Sequence, residues 1–241
     1  MPNTDVTSAD IEYIHEGRRY LGFMARPSGE GTCAAVLVAH EGPGLDDHAK
    51  QRALRLAALG YIAFALDYHG DGVPVPFAEV RAHLAPLIAS PELTRGRAAA
   101  ALAVLLAEPR TDPSRVGAIG FCFGGTMMLE LARGGADLRA VVGFHSGLGT
   151  TQPDDARQIT GAILVCIGAD DPMIPPAQRA AFEQEMTAGG VDWRMNVYGG
   201  AVHSFTNSRA DALGIPGIAY HAATDDRSWR AMLDLFDERL S

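Results

Sequence analysis

Residues 115–125 read RVGAIGFCFGG, in which Cys122 lies among Gly120, Gly124 and Gly125, directly after an apolar run. A helical pattern, TMMLELARGG, begins at residue 126, so the local order is strand, sharp turn and helix. At such a turn the central residue takes a strained backbone, and side chains on its neighbours would collide with the strand and the helix. The stretch therefore predicts that Cys122 is a nucleophile held at the turn, rather than a small apolar residue that fills it.

The rest of the chain alternates apolar, strand-like runs with longer helical patterns, which is typical of an α/β fold with a mostly parallel sheet and helices on both faces. An antiparallel pair of strands is predicted at 11–15 and 18–25, followed by strands at 34–39, 61–66, 115–120, 138–144, 162–168 and 193–199. Helices are predicted at 48–60, 77–89, 93–107, 126–135 and 225–240. No repeat or linker divides the sequence, so residues 1–241 are expected to form a single domain.

Composition excludes several classes of partner. The net charge of −9 provides no broad basic surface, so nucleic acid is not an expected partner. No apolar run approaches the roughly 18 residues that span a bilayer, and the polar start is not a secretory signal, so we expect a cytoplasmic protein without a membrane partner. Cys33 and Cys166 lie in apolar strands and are interpreted as reduced, inert core residues. The sequence leaves open whether the protein is a monomer or a small homo-oligomer.

A cysteine nucleophile needs a base, and the base needs an acid that orients it. The stretch GADDPMIP follows one predicted strand and GAVHSF follows the next. Because the carboxyl ends of parallel strands meet at one edge of a sheet, Asp171 and His203 are expected to lie near Cys122. Asp170 competes for the acid role, but we favour Asp171, whose loop is anchored by apolar residues, and interpret Asp170 as solvated.

A tetrahedral intermediate also needs hydrogen-bond donors for its oxyanion. The backbone N–H of Phe123, at a helix start, is one candidate, and that of Gly42 in the loop HEGPG is the other. Glu41 in the same loop would repel an oxyanion unless it has another role. Near a thiol that role is to hold or accept the thiol proton, and the alternative is a solvated loop glutamate.

The motifs GFCFGG, HEGPG, GADDPMIP and GAVHSF together resemble the dienelactone hydrolase family of α/β-hydrolases, from about residue 10 to the C-terminus. The resemblance implies an α/β-hydrolase fold and an enzyme that opens a small-molecule lactone or ester through a thioester acyl-enzyme. It implies a triad of Cys122, His203 and Asp171, with Glu41 assisting ionisation of the thiol.

The resemblance also bears on the substrate. Family members specific for dienelactone bind the substrate carboxylate with an arginine four residues after the histidine, where this chain has Asn207. Arg81 is the candidate match for a second carboxylate-binding arginine. The departure at Asn207 argues against dienelactone itself as the substrate.

No cofactor or metal is expected. A dinucleotide-binding GxGxxG is absent from the first strand–helix turn, and His40, His48 and His69 lack the spacing of metal ligands. These histidines are interpreted as solvated or bonded within loops, and Trp193 and Met195 as core residues. Three other functions stay open: a carboxylesterase or thioesterase for uncharged acyl groups, a non-catalytic small-molecule-binding module, and a thiol redox sensor.

Overall fold

The computed structural model describes residues 5–241, in which eight strands form one sheet in the order β1-β2-β4-β3-β5-β6-β7-β8. Strands β3 to β8 are parallel to one another, whereas β2 pairs antiparallel with both β1 and β4. The strands are β1 (Val6–His15), β2 (Arg18–Pro27), β3 (Cys33–Ala39), β4 (Ile62–Leu66), β5 (Thr111–Phe121), β6 (Ala140–Phe144), β7 (Ala162–Gly168) and β8 (Trp193–Tyr198).

Helices cover both faces of the sheet. Apolar residues of α1 and α6 pack on one face, and those of α2, α3, α4 and α5 pack on the other. The helices are α1 (Asp47–Ala58), α2 (Val80–Ala89), α3 (Pro91–Leu106), α4 (Phe123–Arg133), α5 (Pro176–Gly189) and α6 (Ala222–Leu240). The predicted class, a mostly parallel sheet flanked by helices on both faces, is confirmed.

Strand β3 shows why the apolar runs are nearly continuous. Ala35, Leu37 and Ala39 join the core on one face of the sheet, while the intervening residues of β3 join the core on the other. Successive side chains in a strand point to opposite faces, so a strand covered by helices on both sides needs apolar residues at every position. Within residues 5–241, no helix is both long and apolar enough to cross a membrane.

Element boundaries differ locally from the sequence prediction. The helix predicted at 77–89 begins as a short 3-10 turn, Phe77–Glu79, before α2. Helix α3 begins earlier than predicted, because Ser90 caps it by accepting a hydrogen bond from the N–H of Leu93 at 3.2 Å. Proline occupies its first turn, where no donor is lost.

The parallel strands end at a common level. In the pairing register Ala39 of β3 lies beside Gly120 of β5, Phe121 lies beside Phe144 of β6, and Gly168 of β7 lies beside Tyr198 of β8. The loops after these strands therefore start side by side at the carboxyl edge, where open α/β sheets bind their ligands.

Candidate active site

Cys122 lies on the turn between β5 and α4, as the sequence predicts. Its backbone has φ 52° and ψ −123°, a strained conformation for a residue other than glycine. Close packing around the turn maintains this conformation. A Cβ on Gly124 would come within 2.4 Å of the carbonyl oxygen of His40, and a Cβ on Gly120 would come within 2.3 Å of Gly124. The three glycines thus allow α4 to begin directly against β3 and β5, and the Cys122 side chain stays partly exposed.

Asp171 and His203 form the expected pair. His203 Nδ1 lies 2.8 Å from Asp171 Oδ2, and both residues are buried. The other oxygen, Oδ1, accepts the N–H of Met173 at 2.8 Å, which fixes the carboxylate. Asp170 is exposed on the same loop, in agreement with its interpretation as a solvated residue.

The Cys122 side chain is close enough to affect the pKa of His203. Burial by itself would lower the pKa of His203, but the nearby Cys122 and the hydrogen bond that His203 donates to Asp171 outweigh burial and raise the pKa from 6.5 to about 10. His203 Nε2 is buried and has no hydrogen-bond partner of its own within residues 5–241. The histidine therefore has one nitrogen held by an acid and the other free for a reacting group.

The two candidate oxyanion donors are backbone amides. No acceptor within the described part of the chain takes the N–H of Gly42 or that of Phe123. Phe123 is the first residue of α4. At this end of a helix the amides lack intrahelical partners, and the helix dipole has its positive end. A Cβ on Gly42 would meet Val80 Cγ1 at 2.8 Å, so α2 lies directly over this loop.

Glu41 is buried, with only 6% of its surface exposed. Its Oε2 accepts a hydrogen bond from Asn207 Nδ2 at 2.5 Å. Its Oε1 has no hydrogen-bond partner among residues 5–241, and the nearest cationic candidate, His145 Nε2, is 4.0 Å away. Burial raises the pKa of Glu41, and the hydrogen bond from Asn207 opposes that shift only in part. The alternative of a solvated loop glutamate is wrong, and the carboxyl group contacts Asn207 rather than the Cys122 thiol.

The structure also shows the surroundings of Arg81, of the three loop histidines and of Trp193. Arg81 is exposed on α2 and forms no ion pair within the described residues. His40 and His69 are buried and bond to loop carbonyls, whereas His48 is buried between α1 and the segment after β8. Trp193 packs edge-on against a core phenylalanine, 6.2 Å between ring centroids.

The two other cysteines differ from Cys122 in their surroundings. Cys166 is fully buried in β7, where burial raises the pKa of its thiol to about 12. Cys33 is partly buried at the start of β3, with its sulfur 3.4 Å from Arg110 Nη2. Cys33 thus lies at the amino end of its strand, and the catalytic candidates lie beyond the carboxyl ends of theirs.

The sequence did not predict a series of hydrogen-bonded polar residues that begins next to Cys122. His145 has a left-handed conformation with φ 41°, and its Nδ1 accepts the Cys122 N–H at 3.2 Å, a donor that it shares with the Phe144 carbonyl oxygen at 3.0 Å. This acceptor role assigns the proton to Nε2, which lies 2.8 Å from Thr206 Oγ1. Thr206 Oγ1 lies 3.3 Å from His48 Nε2, and Arg52 binds the Thr206 carbonyl at 2.6 Å. The position of His145 just past the end of β6 was the signal that could have identified it.

A strained turn between a parallel strand and a helix, with an acid and a histidine after later strands, is the arrangement of an α/β-hydrolase. Residues 21–240 match the sequence profile of the Dienelactone hydrolase family, and the chain belongs to this family. The predicted resemblance is confirmed, and the family places the chain among the hydrolases.

Individual relatives are similar over nearly their whole lengths. A solved structure titled as a dienelactone hydrolase-like promiscuous phosphotriesterase from metagenomic libraries is 42% identical, with a TM-score of 0.94, and the match covers 98% of this chain and 99% of that one. A Bradyrhizobium sp. protein named "Probable 2-oxo-3-(5-oxofuran-2-ylidene)propanoate lactonase" is 28% identical over 206 residues, 81% of this chain and 83% of the relative. A cold-adapted esterase from an Arctic intertidal metagenomic library, 19% identical with a TM-score of 0.75 over 98% of this chain and 95% of that one, shares the fold.

Proposed function

We propose that this chain hydrolyses small esters or lactones through a thioester on Cys122, with His203 as proton carrier and Asp171 as the acid that orients it. The observation that carries the proposal is the state of His203, with Nδ1 held by Asp171 at 2.8 Å and Nε2 buried without a partner in residues 5–241. The pKa of His203 is raised to about 10, so its imidazole is protonated at neutral pH and can donate a proton at Nε2.

In the first half-reaction the Cys122 thiolate attacks the carbonyl carbon and forms a C–S bond. The N–H groups of Gly42 and Phe123 hold the oxyanion, and the intermediate then breaks its C–O bond while His203 Nε2 donates a proton to the leaving alkoxide. The products of this step are the alcohol, or the ring-opened hydroxyl of a lactone, and an acyl group on Cys122.

In the second half-reaction water attacks the thioester while neutral His203 accepts its proton. The new oxyanion occupies the same two amides, the C–S bond breaks, and the acid leaves with Cys122 again a thiolate beside the imidazolium. An ester suits this nucleophile better than an amide does, because a thiolate is a good leaving group and an amine must be protonated before it is expelled.

The test is acyl-enzyme trapping with p-nitrophenyl acetate and intact-protein mass spectrometry. We expect one acetyl group on Cys122 in His203→Ala, in which deacylation is slowed, and none in Cys122→Ala. Cys33→Ala is the matched control, since this cysteine is also partly buried, and it should label and turn over as the unaltered protein does. Full hydrolysis by Cys122→Ala would refute the proposal.

A second candidate, an esterase for uncharged acyl groups, is favoured by the surroundings of Asn207. Asn207 is neutral and already binds Glu41, so it provides no charge for a substrate carboxylate. Val73, Phe77 and Met173 are 63%, 47% and 49% exposed on the segments that follow β4 and β7 at this edge. Exposed apolar groups beside a site favour apolar ligands.

A substrate panel separates these two functions. Rates for carboxylated lactones are compared with rates for uncharged lactones and aryl esters, and we expect the uncharged compounds to have the higher kcat/KM. A phosphotriester belongs in the panel, because the 42% identical relative is titled a promiscuous phosphotriesterase. A strong preference for the carboxylated lactones would refute the second candidate.

A thiol redox sensor is less well supported. A sensor usually needs a second thiol that resolves the oxidised one. Cys166 is fully buried, and burial raises the pKa of its thiol to about 12, which leaves almost no nucleophilic thiolate at neutral pH.

A further inference from the structure

Three donors converge on one carbonyl oxygen in the loop after β3. The oxygen of Glu41 lies 2.8 Å from the Tyr68 hydroxyl, 2.6 Å from His40 Nδ1 and 3.2 Å from the N–H of Gly44. The next carbonyl, that of Gly42, lies 2.7 Å from His69 Nε2. Loop carbonyls are ordinarily satisfied by one partner or by water, so this set holds the loop unusually firmly.

The geometry of a peptide bond gives these contacts a consequence for catalysis. The carbonyl of Glu41 and the N–H of Gly42 belong to the same planar, trans peptide, so they point in opposite directions. Any group that fixes the direction of this carbonyl fixes the direction of that N–H. The Gly42 N–H is the amide that has no acceptor within residues 5–241.

We propose that Tyr68 is a positioning residue of the oxyanion hole, whose hydroxyl holds the Glu41 carbonyl and so directs the Gly42 N–H toward the oxyanion. The inference rests on the proposed function, because it takes Gly42 N–H as an oxyanion donor. It adds a residue that lies outside the triad and that no sequence motif singled out.

Both the ring and the backbone of Tyr68 are held by neighbouring residues. It follows β4 directly after Asp67, its ring stacks on His40 with 3.7 Å between centroids, and its own carbonyl accepts Arg97 Nη1 at 2.7 Å. Its ring also lies edge-on to Phe123, 5.5 Å between centroids, so one side chain packs beside the residues of both donors. A side chain locked in this way keeps its hydrogen bond during the reaction, which is what preorganisation requires.

The hydroxyl remains a donor over the whole range of a kinetic assay. Burial, followed by the negative charges of Cys122 and Glu41, raises the pKa of Tyr68 well above its usual value of 10. It therefore stays protonated, and the nearer of its two carbonyl neighbours, that of Glu41 at 2.8 Å rather than that of His40 at 3.4 Å, accepts the hydrogen bond.

The test is Tyr68→Phe, which removes the hydroxyl and keeps the ring. His40 and Gly44 still bind the Glu41 carbonyl, so the peptide is loosened rather than released. Loss of a whole oxyanion donor lowers kcat by about 10²- to 10³-fold, so we expect a loss of about 10- to 50-fold with KM changed less than about twofold. The matched control is Thr111→Val, because Thr111 is also buried, its hydroxyl donates to a backbone carbonyl, that of Leu105, at 2.8 Å, and it lies at the start of β5 away from the loop.

Two further measurements separate positioning from general disruption. Alkylation of Cys122 by iodoacetamide needs the thiolate but forms no oxyanion, so its rate should stay within about twofold in Tyr68→Phe. A reversible aldehyde forms a tetrahedral adduct on Cys122, so its inhibition constant should rise by about the factor by which kcat/KM falls.

Each outcome decides the proposal. An unchanged kcat, or equal losses of kcat and alkylation rate, would overturn it. If Tyr68→Phe does not fold, His40→Phe removes another donor to the same Glu41 carbonyl. A kcat loss without an alkylation loss in that variant supports positioning through this peptide, whereas parallel losses overturn it. Failure of the unaltered protein to form an acyl-enzyme would overturn the proposed function itself, which the acetyl-trapping experiment detects separately.

Discussion

Replacement of Glu41 by glutamine should make the protein more stable at alkaline pH. The carboxylate is buried, binds Asn207 through one oxygen, and has no partner for Oε1 among residues 5–241. Glutamine keeps an oxygen for Asn207 and removes the buried charge. An unsatisfied buried polar group costs about 1–3 kcal/mol, and the amide at Oε1 is itself imperfectly satisfied, so the expected net gain at pH 8 is about 1–2 kcal/mol.

The gain should depend on pH in a definite direction. Burial raises the pKa of Glu41 above 4.5, so the folded protein binds a proton more tightly than the unfolded chain does. Stability therefore falls as pH rises from the unfolded pKa through the folded one, and the penalty is complete above the folded pKa. In Glu41→Gln this fall is absent, so the two proteins should converge in stability near pH 4 and differ most at pH 8.

The measurement is urea unfolding of both proteins at pH 4, 6 and 8, supported by thermal melts. A gain of about 1–2 kcal/mol corresponds to about 2–4 °C in Tm for a chain of this length. The matched control is Glu130→Gln, since Glu130 is similarly buried but binds Arg95 at 2.8 Å and Arg133 at 3.0 Å. That variant should lose stability, because it leaves buried guanidinium groups underpaired. A gain in Glu41→Gln that is equal at all three pH values, or no gain at pH 8, would refute the reasoning.

Three further predictions concern the turn and the triad. Gly124→Ala should destabilise the protein by about 3 kcal/mol or more in urea unfolding, because the new Cβ would lie 2.4 Å from a backbone carbonyl oxygen that cannot move away. Cys122→Ala should lower the pKa of His203 below about 10 in an NMR titration, because the thiolate is the largest favourable influence on the imidazolium, and an unchanged pKa would contradict the ion pair. Asp171→Asn should lower kcat by at least about 10²-fold, whereas Asp170→Asn on the same loop should leave it unchanged in the ester assay.

The Gly124 substitution has its own control. Gly149→Ala places a Cβ where no atom lies within 4 Å, and Gly149 does not have a positive φ. It should leave the free energy of unfolding within about 0.5 kcal/mol of that of the unaltered protein. An equal loss in both variants would show that loss of glycine flexibility, rather than the close approach of α4, sets the cost.

The features that the sequence predicted correctly depend on residues close together in the chain or on the order of the strands. The turn at Cys122 is encoded by glycines within three residues of it, and the places of Asp171 and His203 follow from strand order, because parallel strands end at one edge. The apolar runs and helical periods likewise report burial of each element by itself. Such signals suffice for the fold and for the members of the candidate triad.

The features that sequence missed depend on contacts between distant segments. Tyr68 belongs to no motif in the sequence, and its contact with the Glu41 carbonyl joins residues 27 positions apart. The bond between Glu41 and Asn207 joins residues 166 apart. No periodicity encodes the direction in which a loop side chain points, so a partner for Glu41 other than the thiol was not foreseen. The same limit applies to His145, whose role comes from its strained backbone at φ 41°.

The buried histidines behind Cys122 explain how the site keeps its positive charge in one place. His145 packs edge-on against His203, 5.2 Å between ring centroids, so a second cation there would repel the imidazolium. Burial lowers the pKa of His145 well below 6.5, and together with the neighbouring Arg52 it lowers that of His48 to about 3. Both rings thus stay neutral at the pH where His203 is charged. A neutral His145 also retains the lone pair that shares the Cys122 N–H, at 3.2 Å, with the Phe144 carbonyl oxygen at 3.0 Å. The buried, neutral His145 and His48 therefore add no positive charge next to His203, whose own pKa is raised.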